Sequence, residues 1–245
     1  MGRLFVVGLG PGDPQLLTGQ ARAALEAADV IIGYVPYLEL VRAWRPTADY
    51  RPSPIGQEHA RAAEALRLAA EGRTVALVSS GDAGVYGMAG AVLEALERWD
   101  PAARPAVEVI PGVTALLAAA ALLGAPLADF AVVSLSDLLV PWPVIARRLE
   151  AAAAADFVLV LYNPASAGRR WQLPAACAIL QRYRTPTTPV GLVRAAHRPE
   201  QQVAIVDLAA LPAQAVDMLT ILIVGNSQTR RVGTWLLTPR RYEPG

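Results

Sequence analysis

The chain has 245 residues, 54% of them hydrophobic and 18% charged, with a net charge of +1 and a mean hydropathy of +0.34. That composition suits one large globular unit or two smaller ones with real cores, and lacks the basic excess of a nucleic-acid binder. All 22 basic residues are arginine, which excludes Schiff-base, pyridoxal-phosphate and P-loop chemistries that require lysine, while one cysteine (Cys177) and two histidines (His59, His197) supply neither a zinc site nor a disulfide framework.

Leu4–Val7 reads as the first strand, entering directly from Met1 without the basic and long apolar regions of a signal peptide, so a cytoplasmic location is expected. GLGPGD follows at Gly8–Asp13. Its glycines permit positive φ and close backbone approach, but their spacing is not the dinucleotide fingerprint. Thr18 is a good N-cap for a helix to about Ala28. Val30–Ile32 is a second strand, running into GYVPYL at Gly33–Leu38, whose tyrosines either line a site wall or pack under a loop. RPSPIG at Arg51–Gly56 reads as a loop, and a helix is expected from Gln57 to about Glu71.

The stretch VALVSSGDAGVYGMAG, Val75–Gly90, organises the rest: a buried strand, a polar turn whose only charge is Asp82, and a small-residue helix running to about Trp99. Turns after the carboxyl ends of strands in open α/β sheets are where ligands are usually held. Strand Val107–Ile110 leads into PGVTA at Pro111–Ala115. Three strands thus end in glycine turns before helices, and on neighbouring parallel strands those turns converge at one sheet edge. Thr114 either caps its helix or offers its hydroxyl to a ligand. Val109–Ala128 has twenty uncharged residues, but Pro111, Gly112, Gly124 and Pro126 interrupt it. The helix Thr114–Leu123 is too short for roughly 30 Å of hydrocarbon, so it reads as buried, with a membrane span the lesser alternative.

A second half follows a soft boundary at about Ala118–Pro126, giving expected domains 1–120 and 121–245. It comprises strand Phe130–Val133, the turn SLSDLLVPW at Ser134–Trp142, helix Val144–Ala155 and strand Phe157–Tyr162 ending in YNP. An arginine pair in Ser166–Arg170 precedes a further helix, and strands are expected at Val190–Val193, Val203–Val206 and Met218–Val224. The loop Arg194–Arg198 and the arginines at 230, 231, 240 and 241 read mostly as solvated faces.

Taken in order, GLGPGD, IGYVPYL, SSGDAGVYGMAG, VIPGVTA, SLSDLLVPW, LYNP, TPVGLVR and TILIVGNSQTR resemble the tetrapyrrole methyltransferases of cobalamin biosynthesis along nearly the whole chain. GYVPYL, SSGDAGVYGMAG and SLSDLLVPW point to the branch that methylates precorrin-3B at C17. The resemblance implies two α/β domains with the active site in the cleft between them, a homodimer, and S-adenosylmethionine as cofactor with S-adenosylhomocysteine as product. It also implies a tetrapyrrole substrate, while the charge balance, the short interrupted apolar run and the scarcity of Cys and His lead to no nucleic-acid, membrane or metal partner being expected.

Carried over by residue, the resemblance places Gly10 and Pro11 at the loop bordering substrate and methyl group. Ser80, Gly81, Asp82 and Val85 fall where the family contacts the methionine part of the cofactor, and Thr114 and Ala115 match its pair after the PG turn. Tyr162 and Asn163 match the adenosine-side turn, which Ala196, Thr220 and Ile221 complete. Where the family usually has an asparagine this chain has Ala195. Asp82 is the catalytic candidate, as electrostatic partner or substrate orienter; its other role is to hold the turn. Asp137, His197 and Tyr86 are lesser candidates, and Arg169, Arg170 and Arg194 are expected to meet substrate carboxylates through bidentate contacts. The implied reaction is methylation of precorrin-3B at C17 with ring contraction to precorrin-4. The alternatives are a cobalt-containing substrate, another precorrin methyltransferase, and a cofactor-binding protein without turnover. A nucleotide-dependent oxidoreductase is disfavoured by the glycine spacing.

Overall fold

The structure, a computed structural model, describes residues 2–241 and divides into two units, the first ending at Ala115 and the second beginning at Leu116. In chain order the first contains β1 (Arg3–Gly8), α1 (Gly19–Ala27), β2 (Val30–Tyr34), α2 (Val35–Arg42), β3 (Asp49–Ser53), α3 (Glu58–Ala70), β4 (Thr74–Ser79), α4 (Met88–Glu97) and β5 (Ala106–Ile110). All five strands pair in parallel in the order β3-β2-β4-β1-β5.

A parallel sheet is covered on both faces, so its strands carry apolar residues on both sides of the pleat. Leu4, Val6, Ile32, Val75 and Leu77 face a layer that includes Leu66 of α3 and Val92 of α4. Their alternates Phe5, Val7, Ile31, Ala76 and Val78 face Leu25 of α1 and Leu38 of α2. Thr18 caps α1, its Oγ1 accepting from Ala21 N at 3.1 Å, as its position before the periodic run predicts.

Two expectations are corrected here. Arg51–Gly56 is not wholly loop: its first half belongs to β3, which lies at the sheet edge where the missing N–H of Pro52 is tolerated. GYVPYL is more than a strand end, because α2 starts within it, with Tyr34 as N-cap residue and Pro36 in the first turn, where proline's fixed φ suits a helix. Tyr34 and Tyr37 meet edge to face at 5.3 Å.

Helix α5 (Ala115–Leu123) starts on the last residue of the first unit, and its remainder opens the second unit, which goes on through β6 (Gly124–Ala125), β7 (Phe130–Ser134), α6 (Trp142–Ala154), β8 (Val158–Tyr162), α7 (Gln172–Leu180), β9 (Pro189–Arg194), β10 (Gln202–Asp207), β11 (Thr220–Val224), β12 (Arg230–Val232) and β13 (Trp235–Leu237). Its main sheet has the order β10-β9-β11-β8-β7 and is mixed: β7 and β8 are parallel, while β11 runs against both β8 and β9. One face buries Leu159, Leu161, Leu192 and Leu222 against α6 and α7. On the other, Gly191 leaves room for Leu123 and Leu236, since a Cβ there would lie 2.3 Å from Leu123 Cδ1. Arg184, almost fully buried, cross-links the unit by donating to the carbonyls of Ala153, Phe157 and Gly225.

The small sheet β12-β13-β6 was not expected; it places Arg230 and Arg231 in a strand, where both side chains are exposed. Its strands are two or three residues long, too short for an alternating pattern to register. The strand expected from Met218 begins at Thr220, because Asp217–Leu219 form a turn in which Asp217 Oδ1 accepts from Leu219 N at 2.9 Å. No helix among the described residues is long and apolar enough to cross a membrane.

Candidate functional site

Because β4, β1 and β5 are parallel neighbours, the turns at their carboxyl ends lie side by side, as the repeated strand-glycine pattern predicts. They are fastened backbone to backbone. Gly10 N donates to Gly81 O at 3.0 Å and Gly81 N to Gly10 O at 2.7 Å, while Leu9 N donates to Ser79 O at 2.9 Å. Gly10 and Gly81 both have left-handed backbone, with φ of 72° and 68°, which a side chain would disfavour. The third turn sits equally close: a Cβ on Gly112 would lie 2.2 Å from Gly81 O, and one on Gly8 2.7 Å from Gly112 N.

Asp82 links two of these turns. Its Oδ1 accepts from Gly84 N at 2.8 Å and its Oδ2 from Gly112 N at 2.9 Å, so each carboxylate oxygen holds a backbone amide. Of the two roles foreseen for Asp82, loop holding is the one this geometry displays. Around it stand buried Gly10, Pro11 and Thr114 and half-buried Ser80, Val85 and Ala115. Gly81 packs against Thr114 and Ala115, its Cβ position lying 3.5 Å from Ala115 N. The structure therefore brings the expected residues of the first unit to one edge. Tyr86 is exposed, with a strained φ of 53°.

In the second unit, β7, β8 and β9 run in one direction and β11 in the other. Their topology gathers Ser134, Tyr162–Asn163, Arg194–Ala196 and Thr220–Ile221 at a single edge. Thr220 is in register with Arg194, and Ala195 N donates to Leu219 O at 2.9 Å. Tyr162 is buried, and its hydroxyl accepts from Leu116 N at 2.9 Å. Asn163 and Ala195 both turn with positive φ, 52° and 50°. Asn163 Nδ2 donates to Ser134 Oγ at 2.9 Å; Ser134 was not foreseen as a site residue, although its place at the start of the polar SLSD run after an apolar strand is the signal for it. Ala196 and Ile221 are buried apolar neighbours.

The three arginines expected to meet substrate part company. Arg169 is a correction: it is 6% exposed, and its Nη1 donates to Asn163 O at 2.6 Å and Leu135 O at 3.2 Å, with Nη2 on Met218 Sδ. Burial pulls its guanidinium below the ordinary value, with Asp137 opposing, so it is a cross-brace and not a surface grip. Arg194 Nε donates to Asp217 Oδ2 at 2.8 Å. Burial tends to raise the Asp217 carboxyl, but hydrogen bonds from Arg194, Thr220 and the Leu219 amide outweigh it and leave it below its usual value. Arg170 is exposed and, with Asp217 and Leu219, lines a cavity of about 590 Å³.

Two of the lesser candidates have hydrogen bonds within the second unit. Both Asp137 oxygens accept from Gln172 Nε2 at 3.0 Å, and His197 N donates to Gln201 Oε1 at 2.8 Å from a left-handed backbone. Burial pushes the Cys177 thiol up to about 11, an inert core residue. Among the described residues no group of three or more His, Cys, Asp or Glu is placed to hold a metal ion.

The donor set suits a sulfonium cofactor. None of the residues expected to hold it is cationic, its one carboxylate, Asp82, is already fixed among turn amides, and the remaining groups are backbone and short side chains able to approach closely.

Comparison with known proteins gives a consistent result. The family model for tetrapyrrole (corrin/porphyrin) methylases matches residues 3–212. A precorrin-3B C(17)-methyltransferase of Sinorhizobium sp is 45% identical over 98% of this chain and 97% of its own. A cobalt-factor III methyltransferase of Priestia megaterium is 44% identical over 99% of this chain, which spans only 45% of that longer protein. Among solved structures, the methyltransferase CobJ has a TM-score of 0.92 at 44% identity, covering 98% of this chain and 100% of its own. Uroporphyrin-III C-methyl transferase from Thermus thermophilus, complexed with S-adenosyl homocysteine, has a TM-score of 0.70 at 29% identity over 91% and 97%. With the motifs, the paired glycine turns and these likenesses in agreement, the chain belongs to the tetrapyrrole (corrin/porphyrin) methylases.

Proposed function

We propose that the protein transfers a methyl group from S-adenosylmethionine to C17 of precorrin-3B, with contraction of the macrocycle to precorrin-4, in cobalamin biosynthesis. The observation that carries this reading is the end-to-end likeness to a protein named for that reaction; the fastened glycine turns are the physical support. When bound, S-adenosylmethionine supplies an electrophilic methyl on sulfur, transferred to a ring carbon as the thioether departs.

Such a transfer needs positioning more than strong acid or base chemistry. Within the first unit, Gly10 and Pro11 supply close-approaching backbone beside the substrate and the transferred methyl, Ser80, Gly81 and Val85 do so for the methionine part, and Thr114 and Ala115 complete the cofactor contacts after the PG turn. Asp82 acts there as a positioning residue, keeping the Gly84 and Gly112 amides in place. Within the second unit, Tyr162, Asn163, Ala196, Thr220 and Ile221 fit the adenosine side, where Thr220 Oγ1 is oriented by its bond to Asp217 Oδ1 at 2.9 Å. Arg170 is an exposed cation for a substrate carboxylate, and Arg194 is held in a pair with Asp217.

Incubation with precorrin-3B and S-adenosylmethionine is expected to give a methylated, ring-contracted product by mass and absorbance. Methylation at another carbon would defeat the C17 assignment. The Priestia megaterium relative is named for cobalt-factor III, which favours a second reading in which cobalt is already in the ring. Parallel assays with metal-free and cobalt-loaded substrates decide between them. Cofactor binding without product from either substrate would favour a binding protein.

A further inference from the structure

Leu138 and Leu139 are 84% and 89% exposed, more than any other large apolar side chain among the described residues. Isolated exposed leucines are common on protein surfaces, but these two are adjacent and stand on a loop anchored on both sides. Before them, Leu135 is fully buried and Asp137 accepts twice from buried Gln172. After them, Val140 and Trp142 pack on the core, and the Trp142 ring meets Trp171 at 4.8 Å. The pair is therefore displayed by a fixed support.

That support belongs to the candidate edge. Ser134 accepts from Asn163, and Arg169 Nη1 bridges Leu135 O and Asn163 O. The residue after that brace, Arg170, is exposed. An apolar tip and an accessible guanidinium are thus tied to the same strand ends, a pattern complementary to a flat, apolar-faced ring that carries carboxylates.

We infer that Leu138 and Leu139 form a fixed apolar finger that packs against the ring face of the tetrapyrrole and determines substrate affinity. The inference rests on the methyltransferase reading and adds to it a specificity element that touches substrate without taking part in the chemistry. A second copy of this chain is the competing occupant, but it gives no reason for the finger to share its support with Asn163.

The test compares the parent with Leu138→Ser/Leu139→Ser and with Leu138→Met/Leu139→Met. Steady-state kinetics, calorimetric S-adenosylmethionine binding, thermal unfolding and sedimentation are measured on each. Burial of a leucine is worth roughly ten-fold in affinity or more, so the serine variant is expected to raise KM for precorrin-3B by roughly ten- to a hundred-fold. Its kcat, cofactor affinity and unfolding temperature should stay near the parent's, and the methionine variant should restore most of the KM. An unchanged KM overturns the inference and leaves the proposed function standing, as does a rise in KM that accompanies dissociation into a smaller species. If the parent shows no turnover, absorbance titration with precorrin-3B separates the two claims: leucine-dependent binding upholds the finger while the proposed reaction falls, and absence of binding overturns both.

Discussion

In the first unit the candidate edge is made of backbone: Gly10 and Gly81 exchange hydrogen bonds, Gly112 presses on both Gly8 and Gly81, and one carboxylate, Asp82, fastens the assembly. In the second unit side chains do the corresponding work. Asn163 bonds to Ser134, Arg169 braces two carbonyls, and Arg194, Asp217 and Thr220 form a chain of hydrogen bonds across β9 and β11. The difference follows from the sheets. Parallel strands release three similar turns side by side, which can pack at backbone distance only without Cβ atoms. A mixed sheet mixes strand ends and starts along one edge, so the gaps are unequal and longer side chains bridge them. The first edge should therefore fail when an atom is added, and the second when one is removed.

The largest effect is expected for Gly112→Ala. Its Cβ would meet three backbone atoms of Gly81 and Gly8 within 2.8 Å, and backbone cannot yield as a flexible side chain does. Overpacking of this kind costs about 3 kcal/mol or more, which urea unfolding would register as a lower midpoint, with methyl transfer falling alongside. Gly90→Ala, where nothing lies within 4 Å of the new Cβ and the residue is in α4, should instead raise stability by about 0.5–1 kcal/mol. Equal responses at the two glycines would show that close backbone packing is not what the first edge depends on.

Removing a donor from the second edge comes next. Arg169→Met keeps the aliphatic bulk but leaves the Leu135 and Asn163 carbonyls without that partner, a loss of about 2–3 kcal/mol for buried polar groups. Arg170→Met next to it, on an exposed side chain, should change stability by no more than about 0.5 kcal/mol while raising KM for the tetrapyrrole. If both variants changed KM and neither changed stability, Arg169 would be a substrate grip after all.

The two edges were unequally legible. The buried parallel strands announce themselves through apolar runs bounded by glycine, and Thr18, Gly10 and Gly81 sit where turn and cap chemistry puts them. What the residues Arg169 and Arg170 would each do was not readable: adjacent and chemically identical, they separate only because the Ser166–Arg169 bridge turns one inward and the next outward. β6, β12 and β13 were missed because strands of two or three residues have no period. Arg194 looked like a strand-end cation, and its partner Asp217 lies in a different turn that only the β9 to β11 register brings near.

Asp82→Asn probes the fastening within the first edge. The amide oxygen can still accept from one of Gly84 or Gly112, while the second acceptor becomes a donor facing another N–H. A cost of about 1 kcal/mol is expected, with Asp82→Ala losing both bonds and destabilising more. For a holding role, methyl transfer should decline in the same order, asparagine above alanine. Equal loss in both variants with no change in unfolding would assign the carboxylate to the chemistry of the substrate.

The smallest effect concerns backbone strain at the second edge. Ala195 has a φ of 50°, the left-handed region, and is buried at the end of β9 with its N–H on Leu219 O and its carbonyl accepting from Arg198 N. Asparagine, which the resemblance leads one to expect here, is among the residues that best tolerate this region. An asparagine at this position would therefore be favoured by backbone geometry alone. Ala195→Gly relieves strain of about 1 kcal/mol but gives the unfolded chain more freedom, which offsets about 0.4–1 kcal/mol. The net gain in stability should be at most about 0.5 kcal/mol, and S-adenosylmethionine affinity should match the parent's. A large loss of cofactor binding in this variant, which keeps the main-chain donors and acceptors, would show that the second edge reads the ligand through the Ala195 side chain as well as through its turn.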